Sequence, residues 1–446
     1  MLAYYNKHSV HQLHHFSIQL RTQPETVVSF EIPWTLFAAQ NMRGSIISLL
    51  TLTSAVNAWL PAERGLFKES RDLSIGRGRS INRRYNPQKV RGVNLGSLFI
   101  VEPWMMSQAW GEMGCGDQKS EFDCMLKLGQ DAGDAAFKNH WDTWITEEDL
   151  DRMKEFGLNA VRVPVGYWMI EELVDPSEHF PRGGLEYMDR LAGWAAARDM
   201  YVTLDLHGAP YSQEIHQPFT GQYSEEAGFY QTSQYERAYT FLQKMTERIH
   251  TNDNYRTTGM IEVLNEPQRT HDSLIPEYYA TAYGKIRETE AGLGVSEDRK
   301  LTIQYMAESW GAGNPRNVLG DKNDIAFDDH RYLKWANIDQ SKPSYIATSC
   351  GDTFGGNNNN PIIIGEWSLA VDSNQEANAE WEPQGNKDWY KQWWGAQVQA
   401  YEKGLGWYFW SWKVQLGGDY RWGYRNAVEA GVIPHNPDEA AGLAKC

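Results

Sequence analysis

The sequence predicts a single (β/α)8 TIM barrel, an α/β fold, and three observations support this. From residue 90 onwards, short apolar segments of strand type alternate with longer amphipathic segments. Several of the apolar segments end in polar side chains, as barrel strands do where an active site is built. The strand candidates number eight, which indicates a closed parallel barrel; they lie at 90–95, 160–165, 201–206, 260–264, 301–306, 325–328, 362–365 and 406–410.

Helical patterns lie between most of the strand candidates, at 146–156, 185–198, 234–250, 276–289 and 389–403. The first begins with Thr146 as a capping residue and three acidic residues, which favour the positive end of the helix dipole. The span 90–413 exceeds the roughly 250 residues of a typical barrel. We therefore expect long loops at 103–140, 208–233 and 367–388, and no separate second module.

The N-terminal part of the chain resembles a leader rather than a domain. Met42 and Arg43 precede the apolar stretch 46–52, and Val56 and Ala58 form a small-residue cleavage site. We interpret 1–41 as a non-native upstream extension, 42–58 as a signal peptide, 59–88 as a lead-in and 89–446 as the catalytic domain. A membrane anchor is the alternative for 42–58, but the apolar stretch is too short to span a bilayer. We expect a secreted, extracellular protein that can associate with the cell wall and has no membrane partner.

Four cysteines accompany this leader, and an oxidising compartment favours disulfides between them. Three pairings are possible. The local choice is Cys115–Cys124, which leaves Cys350–Cys446 to hold the C-terminus. Four free thiols are the alternative, and no metal-binding Cys or His spacing accompanies the cysteines.

The net charge and the aromatic content reduce the number of function classes that fit the chain. The net charge is -16 and no basic patch is evident, so we expect no nucleic-acid partner. The chain contains 19 Trp and 23 Tyr. A large aromatic core would explain them, but aromatic faces also stack on the C–H faces of sugar rings.

Two strand candidates end in a glutamate. Asn265, Glu266 and Pro267 follow the segment 260–264, and Pro267 is expected to stop the strand. Glu366 follows the segment 362–365 in the same way. Alone, Asn-Glu-Pro is more typical of a turn or a helix start, but two carboxylates at strand ends are the equipment of glycoside hydrolysis.

Strand alternation predicts the direction of these side chains. Glu262, Leu264 and Glu266 should share one strand face, with Glu262 pointing into the barrel. A buried charge there needs a partner such as an arginine, so we assign Glu262 a structural role. Other polar or aromatic side chains fall at predicted strand ends; they are Arg162, His207, His330, Tyr332 and Trp410.

The combined pattern resembles glycoside hydrolase family 5, whose signature matches Arg162, His207, Asn265-Glu266-Pro267, His330, Tyr332, Glu366-Trp367 and Trp410. The stretches 91–97 and 102–104 are similar to those of fungal β-glucanases in this family. The stretches 113–124, 219–223 and 419–422 are similar to its endo-acting β-1,6-glucanases.

The resemblance implies a retaining mechanism with Glu366 as nucleophile and Glu266 as proton donor and acid/base. It also implies that Arg162 keeps Glu366 charged, that Tyr332 can donate to the same carboxylate, and that Asn265 holds the sugar 2-hydroxyl.

For the remaining residues, the resemblance implies that His207 and His330 orient neighbours or bind hydroxyls, and that Trp410 lies under the sugar at the cleavage point. No metal or other cofactor is expected, because carboxylates carry out the chemistry. The expected partner is β-glucan, hydrolysed by a monomer. An exo-1,3-β-glucanase and an inactive wall-glucan lectin are the alternatives.

Overall fold

Eight parallel strands close into one barrel in chain order, with β1 hydrogen-bonded to both β2 and β8. This confirms the predicted (β/α)8 architecture. The strands are β1 (Val90–Asn94), β2 (Ala160–Gly166), β3 (Tyr201–Gly208), β4 (Thr258–Glu262), β5 (Thr302–Met306), β6 (Ile325–Arg331), β7 (Ile362–Trp367) and β8 (Gly406–Phe409).

The computed structural model describes residues 89–269, 271–353 and 361–446. The predicted extension 1–41, signal peptide 42–58 and lead-in 59–88 lie outside these residues and stay predictions. Within the described ranges, no helix combines the length and the apolar character that crossing a membrane requires.

Helices surround the barrel. They are α1 (Ser107–Glu112), α2 (Glu121–Leu128), α3 (Gln130–Thr143), α4 (Glu147–Glu155), α5 (Gly184–Ala197), α6 (Thr232–Thr251), α7 (Ala280–Gly292), α8 (Arg316–Leu319), α9 (Lys342–Cys350), α10 (Ser373–Glu376), α11 (Lys387–Tyr401) and α12 (Tyr424–Glu429). All five predicted helices are present. The fourth differs in type at its start, because a π-helix, Leu274–Tyr279, leads into α7.

The prediction of a loop at 103–140 is wrong, because α1, α2 and most of α3 occupy it. Ser120 caps α2 by accepting a hydrogen bond from the Asp123 backbone N–H at 3.3 Å. Few apolar side chains of these helices are buried, Trp110 and Phe137 among them. They are too few to give a clear helical period in the sequence. The loop 367–388 likewise contains α10, and β7 continues to Trp367.

Both predicted disulfides are present. The Cα atoms are 5.2 Å apart in Cys115–Cys124 and 5.0 Å apart in Cys350–Cys446. The first links the loop after α1 to α2, and the second joins the end of α9 to the C-terminal residue. Together they tie down two segments that lie outside the barrel itself.

Two strand boundaries differ from prediction and bear on the site. β4 ends at Glu262 rather than at residue 264, so strand alternation does not extend to Glu266. The prediction that Glu262, Leu264 and Glu266 share one strand face is therefore wrong beyond Glu262. β6 instead runs further than predicted, to Arg331, so that His330 is itself a strand residue.

Candidate active site

Arg162 on β2 lies at the centre of the barrel's carboxyl end, with no exposed side-chain surface. Its guanidinium donates to Glu262 at 2.7 Å, Asn265 at 2.9 Å and Glu366 at 3.0 Å. Burial alone would lower the pKa of Arg162, but the carboxylates around it, Asp205 and Glu262 foremost, outweigh burial and raise it well above its usual value. The prediction that Glu262 points inward to a charged partner is confirmed.

Both carboxylate oxygens of Glu366 on β7 accept a hydrogen bond. Arg162 donates to Oε1 at 3.0 Å, and the Tyr332 hydroxyl donates to Oε2 at 2.8 Å. Burial, and then the charge of Glu366, raise the pKa of Tyr332 well above its usual value, so its hydroxyl stays protonated. The two donors fix the orientation of a carboxylate that is itself only 5% exposed.

Glu266 lies on a turn beyond β4 and has a φ of 37°. Its Oε1 is 2.8 Å from Nδ1 of His330. Burial would lower the pKa of His330, but the negative charges of Glu366 and Asp328 outweigh it and raise the pKa well above its usual value. His330 is therefore an imidazolium, and it donates to Glu266.

The two glutamates face one another across His330. A carboxylate oxygen of Glu266, one of Glu366 and a ring nitrogen of His330 all lie within 4.8 Å of one another. Three such atoms could also hold a metal ion, but the Arg162 guanidinium, which donates to Glu366 at 3.0 Å, would repel a cation. The arrangement is that of a carboxyl pair with a cation built in beside it.

Glycine next to Glu366 makes this packing possible. Asp328 on β6 accepts the Gly365 backbone N–H at 2.7 Å. A Cβ at Gly365 would lie 2.1 Å from both Asp328 carboxylate oxygens, so any larger residue would displace that carboxylate. Asp328 in turn supplies part of the negative charge that keeps His330 protonated.

The other predicted residues surround the pair. Nδ1 of His207 is 2.7 Å from Asp205, and its ring stacks on Trp410 with centroids 5.5 Å apart. Oδ1 of Asn265 is taken by Arg162. Its Nδ2 is buried and has no hydrogen-bond partner among the described residues, so Asn265 has a donor to offer a ligand. The structure thus brings all eight predicted non-cysteine site residues to one end of the barrel.

A third carboxylate was missed as a site residue. Glu102 is 8% exposed and accepts a hydrogen bond from Trp104 Nε1 at 2.9 Å. Burial, together with the charges of Glu366 and Glu266, raises the pKa of Glu102 to about 7. The motif Glu102-Pro103-Trp104 was visible in the sequence, but nothing in its spacing places it beside Glu366.

Tryptophans extend outward from the pair. Trp104 is 36% exposed, and its ring meets that of Trp422 edge to face at 5.1 Å. Trp422 packs against Tyr332 at 5.6 Å and against Trp335 at 6.1 Å. A partly exposed aromatic surface therefore begins at the hydroxyl that binds Glu366, and it offers stacking faces of the kind that sugar rings use.

A closed parallel barrel with paired glutamates at the carboxyl ends of its strands is an architecture of glycoside hydrolases. The family model described as cellulase (glycosyl hydrolase family 5) matches residues 127–415. The chain belongs to glycosyl hydrolase family 5, and it is a glycoside hydrolase.

Comparisons with individual proteins agree with this assignment. The chain is 48% identical over 409 residues to glucan endo-1,6-beta-glucosidase B of Emericella nidulans, covering 90% of this chain and 99% of the relative. It is 30% identical to glucan 1,3-beta-glucosidase of Blumeria graminis, covering 81% of this chain and 90% of the relative. Among solved structures, rutinosidase from Aspergillus niger superimposes with a TM-score of 0.61 at 19% identity, covering 79% of this chain and 99% of that chain, which shows a shared fold.

Proposed function

We propose that this glycoside hydrolase is a secreted, retaining endo-β-1,6-glucanase that cleaves internal bonds of β-1,6-glucan. The observation that carries the substrate assignment is the 48% identity along almost the whole length of a relative named glucan endo-1,6-beta-glucosidase B. The 30% identity to a relative named glucan 1,3-beta-glucosidase is much lower.

In the proposed mechanism, Glu366 attacks the anomeric carbon while protonated Glu266 transfers its proton to the departing glycosidic oxygen. The C–O bond to the leaving sugar breaks and a glycosyl ester on Glu366 forms. Glu266, now a carboxylate, takes a proton from water, and that water displaces Glu366. A carboxylate oxygen of Glu266 lies within 4.8 Å of one of Glu366, and this short separation supports the retaining mechanism. Retaining enzymes hold their two carboxyl groups about 5–5.5 Å apart, and inverting enzymes hold them about 6.5–9.5 Å apart.

The roles of the two glutamates follow from their partners. Glu366 receives donors on both oxygens, one of them the permanent cation Arg162, which suits a nucleophile that must stay ionised. Oε1 of Glu266 lies 2.8 Å from Nδ1 of His330, so we assign the transferred proton to the other carboxyl oxygen, Oε2.

Neighbouring residues would hold the sugar at the cleavage point. Asn265 has its buried Nδ2 to donate to the 2-hydroxyl, where hydrogen bonds strengthen in the transition state. Trp410, stacked on His207, would support the face of the ring.

Secretion rests on the predicted signal peptide and on the two disulfides, which are typical of oxidising compartments. We expect the mature chain to begin near Trp59. N-terminal sequencing of secreted protein tests this, and retention of residues 1–41 would contradict it.

Product analysis on pustulan and laminarin tests the substrate and the mode of cleavage. We expect gentio-oligosaccharides of several sizes early in the digestion of pustulan, and weak activity on laminarin. Release of glucose alone, with laminarin the better substrate, would support the exo-1,3-β-glucanase instead. Binding to pustulan without any turnover would support the lectin.

A further inference from the structure

The backbone at Glu266 is strained. A φ of 37° lies in the left-handed region, which residues other than glycine seldom adopt. Such a conformation persists when the surrounding structure holds it in place. β4 has already ended at Glu262, but the Asn265 backbone N–H still donates to the Leu206 carbonyl of β3 at 3.0 Å. Further contacts on both sides of Glu266 add to this one.

Gln213, in the loop after β3, holds the residue before Glu266. Its side chain has no exposed surface. Nε2 donates to the backbone carbonyl oxygens of Asn265 at 3.0 Å and His207 at 2.6 Å, and Oε1 accepts from the Ala209 backbone N–H at 3.1 Å. The amide therefore joins the end of β3 to the Asn265–Glu266 peptide through its full set of groups.

Tyr230, from the same loop, holds the chain after Glu266. Its hydroxyl accepts the backbone N–H of Gln268 at 2.5 Å and donates to the backbone carbonyl of Gln213 at 2.9 Å. The ring also stacks on His271 with centroids 3.6 Å apart. A single loop therefore binds the backbone on both sides of Glu266, through Gln213 and Tyr230.

We propose that Gln213 and Tyr230 are positioning residues that hold the backbone on either side of Glu266 and so aim its carboxyl at the leaving-group oxygen. The inference rests on the proposed role of Glu266 as acid/base. The two residues act through backbone atoms, and neither is assigned contact with the sugar. Glu366 receives its own hydrogen bonds from Arg162 and Tyr332, and Arg162 also donates to Asn265 at 2.9 Å.

If Gln213 and Tyr230 position only Glu266, the activity lost on replacing them should depend on the leaving group of the substrate. A misdirected Glu266 impairs proton donation, which an ordinary sugar leaving group requires and a dinitrophenolate does not. A variant that merely destabilises the fold would instead slow both substrates equally.

The test compares kcat/KM for gentio-oligosaccharides and for 2,4-dinitrophenyl β-gentiobioside in the full chain. For Gln213→Met we expect a loss of roughly 10- to 100-fold on the oligosaccharides, and less than about 3-fold on the aryl substrate. For Tyr230→Phe, which keeps the ring, we expect a smaller loss of roughly 3- to 10-fold with the same selectivity. Tyr230→Phe remains a test if Gln213→Met does not fold.

Matched controls exist on α11. Half-buried Gln399 donates to the Ala440 and Ala444 carbonyls at 2.9 and 3.1 Å, and buried Tyr390 donates to the Trp381 carbonyl at 3.0 Å. Gln399→Met and Tyr390→Phe should leave the ratio of the two kcat/KM values unchanged.

Equal losses of kcat/KM on both substrates, or no loss on either, would overturn the proposal. The proposed substrate fails separately, if the wild-type enzyme cleaves laminari-oligosaccharides rather than gentio-oligosaccharides. The same ratio is then measured with laminaribiosides.

Discussion

Glu366 and Glu266 reach the same site from two differently built strand ends. Glu366 lies inside β7 and pairs with His330 of β6 directly after a register shift between the two strands, and Arg162 and Tyr332 bind both of its oxygens. Glu266 lies beyond the end of β4, in a turn with positive φ. The nucleophile thus lies within a barrel strand, and the acid/base lies on a turn with positive φ that a neighbouring loop supports.

This contrast suits the two chemical roles. A nucleophile must attack one carbon along one line, which a rigid strand and two fixed donors secure. An acid/base serves a sugar oxygen in the first step and a water in the second, so it needs a position from which it reaches both of them. Substitutions in the two environments should therefore differ in their effects, and the largest effect is expected at Glu366.

Replacement of the strand-borne glutamate should be the most damaging change. Glu366→Ala removes the nucleophile, and we expect kcat on β-1,6-glucan to fall by roughly 10⁴- to 10⁶-fold. With azide and an activated aryl glucoside, any residual product should be the α-glucosyl azide, because azide would attack the anomeric carbon directly. Exposed Glu186 on α5 gives the control Glu186→Ala, which should keep full activity.

Replacement of the turn-borne glutamate should have a smaller and substrate-dependent effect. Glu266→Ala should lose roughly 10²- to 10⁴-fold on glucan, yet still form the glycosyl-enzyme from an activated aryl glucoside. Azide should then restore turnover and give the β-glucosyl azide. If Glu266→Ala yields the α-azide and Glu366→Ala the β-azide, the two roles are reversed.

Loss of a single donor to Glu366 should cost less again. Tyr332→Phe removes the hydroxyl at 2.8 Å from Oε2 and leaves Arg162 in place. A hydrogen bond to a charged group contributes about 1.5–3 kcal/mol, so we expect kcat to fall by roughly 10- to 100-fold. Unlike the Gln213 and Tyr230 variants, Tyr332→Phe should slow the aryl substrate as much as the glucan. A loss confined to the glucan would show that Tyr332 serves Glu266 instead.

The smallest effect on activity is expected at Glu102, whose titration should appear in stability instead. Glu102 has a pKa of about 7 in the folded protein, above the usual value of 4.5, so the folded state binds the extra proton between these pH values. Stability should therefore fall as pH rises from 4.5 to 7, by up to about 3 kcal/mol from this group.

Glu102→Gln should remove that contribution. Its free energy of unfolding, measured in urea at several pH values, should decline less steeply with pH than that of the wild type. Parallel curves for the two proteins would show that Glu102 titrates normally.

The same contrast governs what the sequence could predict. The apolar segment at 362–365 followed by Glu366 was sufficient to place the nucleophile at a strand end, because β7 runs from Ile362 to Trp367. It did not reveal that the register between β6 and β7 shifts just before Glu366. Alternation failed at Glu266, because β4 stops at Glu262 and the positive φ depends on contacts from a distant loop. Asn265-Glu266-Pro267 identified the residue but not its conformation.

Other misses have the same physical cause. Gln213 lies in a stretch predicted only as a loop, and its importance comes from carbonyls at the ends of two strands. Glu102 becomes unusual only because folding buries it near Glu366 and Glu266. The roles of Gln213 and Glu102 both depend on contacts between segments that are far apart in the chain, and the pattern of a single sequence does not reveal such contacts.

The most direct test of the account is to trap the covalent intermediate with 2,4-dinitrophenyl 2-deoxy-2-fluoro-β-gentiobioside and to locate it by peptide mass spectrometry. The fluorine slows both steps, and the good leaving group lets the first proceed, so the glycosyl-enzyme should accumulate. We predict one added 2-deoxy-2-fluoro-gentiobiosyl group, a disaccharide, attached to Glu366 on β7. A label on Glu266 would contradict the division of roles between the strand and the turn. The absence of any adduct, together with a product of inverted anomeric configuration, would contradict the retaining mechanism.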